Sequence, residues 1–110
     1  MNHIREILIK TIPVLDNPEF NEVQISIYYS KGGMNWFSGA SQLRGYYLGI
    51  APVSRNGRTL TYKAFTGTRY LLEEASRFNR KHLESLVTTV PEGLIENLLE
   101  RVLSDNKIVL

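Results

Sequence analysis

The hydrophobic pattern changes from a period of two residues to a period of about 3.6 residues after Thr66 and Gly67, and this change constrains the fold more than any other feature. Before it, residues 22–30 alternate strictly between apolar and polar side chains, which predicts a strand with one buried face. After it, apolar residues recur at the spacing of a long amphipathic helix over about residues 69–87. Strands that are followed by helices are typical of the α+β class.

Two further strands are predicted between these segments. Residues 43–53 form an apolar run, and the Asn56-Gly57 pair after it is typical of the type I′ turn of a β-hairpin. Residues 58–65 then return antiparallel to the run before the turn. The three strands form a meander, and we expect the long helix to cover the face that carries Leu48.

The two ends of the chain complete this prediction. Residues 4–12 fit either a helix or a strand, and their β-branched side chains favour an edge strand that pairs with residues 22–30. Thr89 and Glu92 have the spacing of a capping box, which predicts the start of a second amphipathic helix. The predicted fold is a single α+β domain over residues 1–110, with an antiparallel sheet of three to four strands followed by two amphipathic helices.

Length and composition exclude several classes of protein. A chain of 110 residues is long enough for one domain with its own core, and two cores would not fit. The absence of cysteine excludes disulfides, thiol catalysis and thiolate metal sites. Charged residues interrupt the apolar run near the N-terminus, which is not the pattern of a signal peptide. No apolar run approaches the roughly 20 residues that span a bilayer. We therefore expect a cytoplasmic protein without membrane contact.

The titratable residues do not form a catalytic or metal-binding pattern. His3 and His82 are far apart in the sequence, and His82 falls near the apolar stripe of the long helix, where a boundary or core position is expected. Glu96 and Glu100 lie one helical turn apart, but no histidine or aspartate joins them. No nucleotide-binding, esterase or zinc-protease motif occurs. We therefore expect a protein that is not an enzyme and that binds neither a cofactor nor a metal ion.

The segment 31–44 is the first candidate contact surface. Its glycines break regular strand pairing, whereas its large apolar side chains contribute no burial energy while they stay in water. These side chains either fold back onto the open end of the core or anchor a partner, because aromatic and arginine residues dominate binding hot spots. The charged residues that flank the segment suit an acidic rim on such a partner. The predicted partner-binding residues are Lys31, Met34, Asn35, Trp36, Phe37 and Arg44.

Two other surfaces suit a nucleic-acid partner. Basic side chains at helical spacing in the long helix would neutralise about three phosphates. Tyrosines on the outward face of the sheet, beside Lys63 and Phe65, are typical of a base-stacking platform. The small residues Gly49 and Ala51 on that face instead favour close packing by another element, the second helix or the N-terminal segment. The predicted nucleic-acid-binding residues are Arg77, Arg80, Lys81, Tyr28, Tyr47 and Lys63.

A series of short motifs in the middle of the chain resembles a known group of proteins. The sequence contains YYSKGGMNWFSG, then RGYYLGIAPVSR, then FTG before a segment with RFNRK. In this pattern, over about residues 22–82, it resembles small uncharacterised proteins encoded by phages and mobile elements of gut-type bacteria. The resemblance implies no catalytic residues. It implies a setting in which many small non-catalytic proteins bind host machinery, including inhibitors of CRISPR nucleases and of other defence systems.

The sequence therefore favours a non-catalytic protein that binds a macromolecule, either a protein or a ribonucleoprotein, through residues 31–44. The resemblance makes an anti-CRISPR-like inhibitor of a host defence system the most specific form of this function. The alternative is a small nucleic-acid-binding protein that uses the basic ridge of the long helix. A symmetric homodimer is expected if a sheet edge stays uncovered.

Overall fold

Along the described parts of the chain, the strands come first and the helices follow. The computed structural model describes residues 5–34, 41–56, 59–62 and 67–110. The strands are β1 (Glu6–Pro13), β2 (Glu22–Ser30), β3 (Gly33–Met34), β4 (Ser41–Gln42), β5 (Gly45–Asn56), β6 (Thr59–Tyr62) and β7 (Thr68–Glu74). The helices are α1 (Arg80–Thr89) and α2 (Glu92–Asp105).

The main sheet is antiparallel and, among the described residues, has five strands. Two of them pair with the same edge of β5. β1 pairs with β2, and β2 pairs with one edge of β5. β6 and β7 lie end to end along the other edge of β5, where β6 pairs with residues 53–56 and β7 with residues 45–50. β3 and β4 form a separate two-stranded sheet. The predicted α+β fold, an antiparallel sheet followed by two amphipathic helices, is confirmed.

β1 is the edge strand that the sequence favours for residues 4–12, and it pairs with residues 22–30 as predicted. A β-bulge interrupts its register between Leu8 and Lys10. The extra residue shifts the alternation of the strand by one position, so that three isoleucines all reach the core. They are Ile7, Ile9 and Ile12. In the described part of the chain β1 pairs on one side only, so the homodimer that an uncovered edge favours stays a prediction.

The predicted long helix over residues 69–87 is wrong in its first half, which is strand β7. A β-bulge shifts the register of β7 against β5 between Tyr46 and Tyr47. Leu71 lies on the outer face of the sheet and Leu72 packs against the core, as adjacent residues of a strand do. The two adjacent leucines fit the apolar stripe of a helix as well as a strand that is covered on both faces, so the local pattern does not distinguish the two structures. α1 starts only at Arg80, where the side chain of Asn79 caps its first turn.

The predicted capping box of Thr89 and Glu92 is also wrong. Thr89 is the last residue of α1, and its hydroxyl donates to the carbonyl oxygen of Ser85 at 3.1 Å. Pro91 occupies the position before α2 and makes no side-chain cap. Its ring instead fixes φ near the value that the start of a helix requires. α2 then runs to Asp105.

The core lies between the inner face of the sheet and both helices. Leu83 of α1 and Leu98 and Val102 of α2 pack against the buried side chains of β2 and β5. The inner-face residues of these two strands are Val23, Ile25, Ile27, Tyr29, Tyr46, Leu48 and Ile50. Both helices lie on this inner face, and the N-terminal segment forms strand β1. The prediction that the second helix or the N-terminal segment covers the outer face is therefore wrong. Neither helix of the described residues has the length and apolar character to cross a membrane.

Candidate functional site

The predicted contact segment 31–44 is built on a short β-hairpin. β3 and β4 pair antiparallel, with Gly33 opposite Gln42 and Met34 opposite Ser41. The hairpin leaves the main sheet where β2 ends and returns where β5 begins. It is therefore an appendage at one end of the sheet, which we call the hairpin end.

The aromatic residues of this segment belong to the connection between β3 and β4, residues 35–40. That connection and the side chain of Met34 lie outside the described residues. The predicted contact role of Met34, Asn35, Trp36 and Phe37 therefore stays a prediction.

Two glycines set the backbone path into the hairpin. Gly32 and Gly33 have φ angles of 74° and 133°, in a region that residues with a side chain rarely adopt. A Cβ on Gly32 would also lie 2.5 Å from the carbonyl oxygen of Gln42. The two glycines thus let the chain turn while the returning strand passes close to it.

The side chain of Arg44 joins separate segments at the base of the hairpin. Its Nε donates to the carbonyl oxygen of Lys31 at 3.0 Å, and its Nη1 donates to the carbonyl oxygen of Ser76 at 3.4 Å. The carbonyl oxygen of Arg44 accepts from the amide of Ala75 at 3.0 Å. Lys31 and Arg44, the two predicted flanking charges, are both exposed. Arg44 has a second role that the sequence did not indicate, because it ties the hairpin base to the end of β7.

The strand directions bring further cations to the hairpin end. β1 begins beside the end of β2, and the guanidinium carbon of Arg5 lies 5.8 Å from the ring centroid of Tyr29 and 5.5 Å from that of Phe78. Both distances are within the range of a cation–π contact. In the sequence, Arg77 stands between Ser76, whose carbonyl oxygen accepts from Arg44, and Phe78. The basic end cluster, as we call it, consists of Arg5, Lys31, Arg44 and Arg77.

The start of α1 is fixed to the same end of the sheet. The amide of Asn79 donates to the hydroxyl of Tyr46 at 2.8 Å. Nε2 of His82 lies 2.8 Å from Oε2 of Glu73, and the His82 ring meets the Tyr46 ring edge-on with centroids 5.1 Å apart. His82 is half-buried, which is the boundary position predicted for it. Its contacts join α1 to β5 and β7, a structural role.

The predicted basic ridge along a long helix does not form. Arg77 lies in the loop before α1, so it does not share a helix with Arg80 and Lys81. Nε of Arg80 lies 3.4 Å from Oε2 of Glu84, one helical turn further on. Lys81 is exposed in the first turn of α1. The three basic residues are thus grouped near the hairpin end rather than along one helix face.

Tyr28 and Tyr47 share the outer face of the sheet, as predicted. Their rings are stacked, with centroids 5.7 Å apart and an interplanar angle of 18°. The Tyr47 hydroxyl donates to the carbonyl oxygen of Leu43 at 2.5 Å, next to the hairpin. A Cβ on Gly49 would lie only 2.9 Å from Cε1 of Tyr28. The close packing that Gly49 predicts is therefore made by the ring of Tyr28 on the same face.

This outer face is a poor base-stacking platform. Tyr47 is 5% exposed, whereas bases stack on ring faces that are open to solvent. Burial raises the pKa of Tyr28 above its ordinary value of 10.0, and the guanidinium of Arg69 opposes that rise. Lys63 and Phe65, also predicted for this face, lie outside the described residues. The two tyrosines and the start of α1 are on opposite faces of the sheet, so the predicted nucleic-acid residues that the structure describes do not form one surface.

The remaining observations concern metals and related proteins. Where the structure describes the chain, no three His, Cys, Asp or Glu side chains are grouped so that they could hold a metal ion. Comparison with protein-family models, curated proteins and solved structures gave no match.

Proposed function

We propose that this protein is a non-catalytic binding protein that docks on a macromolecular partner, a protein or a ribonucleoprotein, through the hairpin 31–44. The observation that carries the proposal is the position of Arg44, whose guanidinium ties Lys31 to Ser76 at the base of the hairpin. A base that is fixed before binding lowers the conformational entropy that an interface loses when it forms. The hairpin is thus supported in the way that a docking element requires.

The composition of the hairpin supports the same function. The single tryptophan of the chain, Trp36, is followed directly by Phe37 between β3 and β4. Large aromatic side chains contribute most of the binding free energy at many interfaces, and methionine, here Met34, adapts to irregular partner surfaces. Leu43, just after β4, is 54% exposed and adds apolar area beside the hairpin. The sequence thus places apolar residues suited to a contact between Lys31 and Arg44.

The resemblance to proteins of phages and mobile elements supports a more specific form of this function. In that setting the partner is a component of a host defence system, and the protein acts as an inhibitor by covering a surface that the defence system needs. A cytoplasmic location in a bacterial host belongs to the same proposal.

Fluorescence of the single tryptophan tests the proposal directly. In the free monomer we expect Trp36 to emit at the long wavelength of a hydrated indole and to be quenched by iodide. Blue-shifted emission that iodide does not quench would mean that the indole is part of the core, and the docking role of the hairpin would be lost.

A capture experiment from bacterial lysate identifies the partner. The immobilised wild-type protein is compared with a Trp36→Ala/Phe37→Ala variant and with Leu15→Ala. Leu15 is a matched apolar control, since it is 76% exposed and follows β1 at the opposite end of the sheet. The proposal expects a defined partner that the wild type and Leu15→Ala retain and the double variant loses. Equal capture by all three proteins would contradict it.

A further inference from the structure

We infer that Lys10 closes the free edge of β1 to a further strand, so that a second copy of the chain does not pair with this edge. The inference goes beyond the proposed function, since it concerns the edge strand and not the hairpin. It also excludes β1 as the interface of the homodimer that the sequence predicts for an uncovered edge.

β1 has the features of an edge that recruits another strand. It has eight residues and, among the described strands, pairs with β2 alone. Alternate backbone amides and carbonyls of an antiparallel strand point away from its neighbour. Leu8, near the middle of the strand, is 52% exposed. A long edge with apolar and β-branched side chains is a template for association, so it needs a feature that prevents pairing.

The β-bulge of β1 is the first such feature. The register passes from the pair Leu8–Ser26 directly to the pair Lys10–Ile25, so Ile9 and Lys10 together oppose Ile25. Ile9 packs against the core, whereas Lys10 is exposed. A bulge bends the strand and increases its twist, and the regular row of backbone groups is interrupted there. A further strand cannot continue its pairing past this point.

Lys10 is the residue whose insertion makes the bulge. Without it, Ile9 would oppose Ile25, and Thr11 would oppose Gln24 as it does now. The strand would then alternate regularly, with its three isoleucines still directed to the core. The core therefore gains nothing from Lys10, and the effect of the insertion falls on the edge.

A second copy of β1 would not neutralise the charge of Lys10. Glu6, the carboxylate of this strand, lies on the outer face, where Oγ of Ser26 donates to its Oε2 at 2.9 Å. Lys10 instead opposes Ile25, whose side chain belongs to the inner face. Side chains of opposite faces do not meet across a pair of strands. A neighbouring strand would thus take the ammonium group out of water without a matching carboxylate, which is unfavourable.

The opposite edge of the main sheet has the same combination. The register passes from the pair Tyr47–Leu71 to the pair Tyr46–Glu73, so Leu72 and Glu73 together oppose Tyr46. Leu72 packs against the core, and Glu73 is exposed. Each bulge thus joins an apolar core residue to a charged exposed one. Its presence on both β1 and β7 supports a role at the edges of the sheet.

Light scattering after size-exclusion chromatography of the full chain tests the inference. Deletion of Lys10 removes both the bulge and the charge, and we expect the mean mass to rise about twofold or more between about 10 μM and 1 mM protein. Lys10→Thr keeps the inserted residue and removes only the charge, so the rise should be smaller. Lys81→Thr is the matched control, because it removes an equal charge from an exposed position on α1. It should leave the mass as in the wild type.

A second substitution shows whether β1 is the surface that associates. Leu8→Lys in the deletion variant returns a positive charge to the same strand, and it should restore the mass of the wild type. Far-ultraviolet circular dichroism shows whether each variant is folded. If the deletion variant does not fold, the comparison of Lys10→Thr with Lys81→Thr decides the question.

Three results would overturn the inference. The first is a wild-type mass for both the deletion variant and Lys10→Thr. The second is equal association of Lys10→Thr and Lys81→Thr, which would show that loss of charge anywhere has this effect. The third is a wild-type dimer that Leu8→Lys abolishes, because the edge of β1 would then be open in the natural sequence.

Discussion

The ring of Tyr28 occupies the space above Gly49, where a Cβ would lie 2.9 Å from its Cε1 atom. The same ring stacks on Tyr47 at 5.7 Å, so the tyrosine pair covers part of the outer sheet face without help from a helix. Gly49 lies on β5 opposite Ser26 of β2. The glycine is thus required for the close fit of an aromatic ring across the strands.

Gly49→Ala should destabilise the protein. The added methyl group must displace the Tyr28 ring and weaken its stacking, which outweighs the gain in backbone entropy and leaves a net loss of about 1 kcal/mol in the free energy of unfolding. Urea denaturation measures the change. Gly93→Ala is the matched control, because a Cβ on this residue of α2 meets open space and alanine should raise the stability by up to about 1 kcal/mol. Changes of the same sign at both positions would contradict this account.

The raised pKa of Tyr28 predicts a loss of stability in alkali. Burial holds the folded-state pKa above the ordinary 10.0, so the phenol of the unfolded chain ionises first. The stabilisation is complete below pH 10.0 and is lost as the pH rises through the folded-state pKa. Tyr28→Phe should remove this part of the pH dependence, which denaturation curves at increasing pH would reveal. Arg69→Ala should raise the pKa of Tyr28 further, measured by tyrosinate absorbance, because Arg69 opposes the rise.

Much of the sheet is predictable from the sequence because its strands are patterned locally. The alternation of residues 22–30 matches β2, and the β-branched residues near the N-terminus match β1. The region of residues 69–79 is different, because Leu71 and Leu72 fit the apolar stripe of a helix but lie on opposite faces of strand β7. The pairing with β5 decides its structure, and no local pattern contains that information.

The candidate site was predictable only in part, for a similar reason. Its glycines and aromatic residues lie within one short stretch of the sequence, so the sequence alone indicates the segment 31–44 as a contact surface. Arg5 and Arg77 could not be connected to it, because their proximity depends on which strand ends meet. The second role of Arg44 depends on Ser76, which follows a strand that the sequence pattern assigned to a helix.

Arg44→Ala should loosen the hairpin without unfolding the main sheet. The substitution removes the hydrogen bonds to the carbonyl oxygens of Lys31 and Ser76, each of which contributes about 1 kcal/mol. Amide hydrogen exchange in β3 and β4 should become several-fold faster, while the amides at the centre of β2 keep their protection. Arg101→Ala, an exposed change of equal charge on α2, should alter neither set. Unchanged exchange in β3 and β4 would mean that Arg44 does not support the hairpin.

Asn79→Ala should destabilise α1 at the point where it meets the hairpin end. The side-chain oxygen of Asn79 accepts a hydrogen bond from the amide of His82 at 3.0 Å, and removal of such a cap costs about 1 kcal/mol. Asn79→Asp keeps the acceptor and places a negative charge at the helix N-terminus, so it should retain the stability. Asn97→Ala is the matched control, because Asn97 is exposed within α2, where alanine is the better helix former by a few tenths of a kcal/mol. Thermal denaturation should therefore order the variants with Asn79→Ala below the wild type and Asn97→Ala at or above it. Equal melting temperatures for Asn79→Ala and the wild type would show that the hydrogen bond between the Asn79 amide and Tyr46 fixes the start of α1 without the cap.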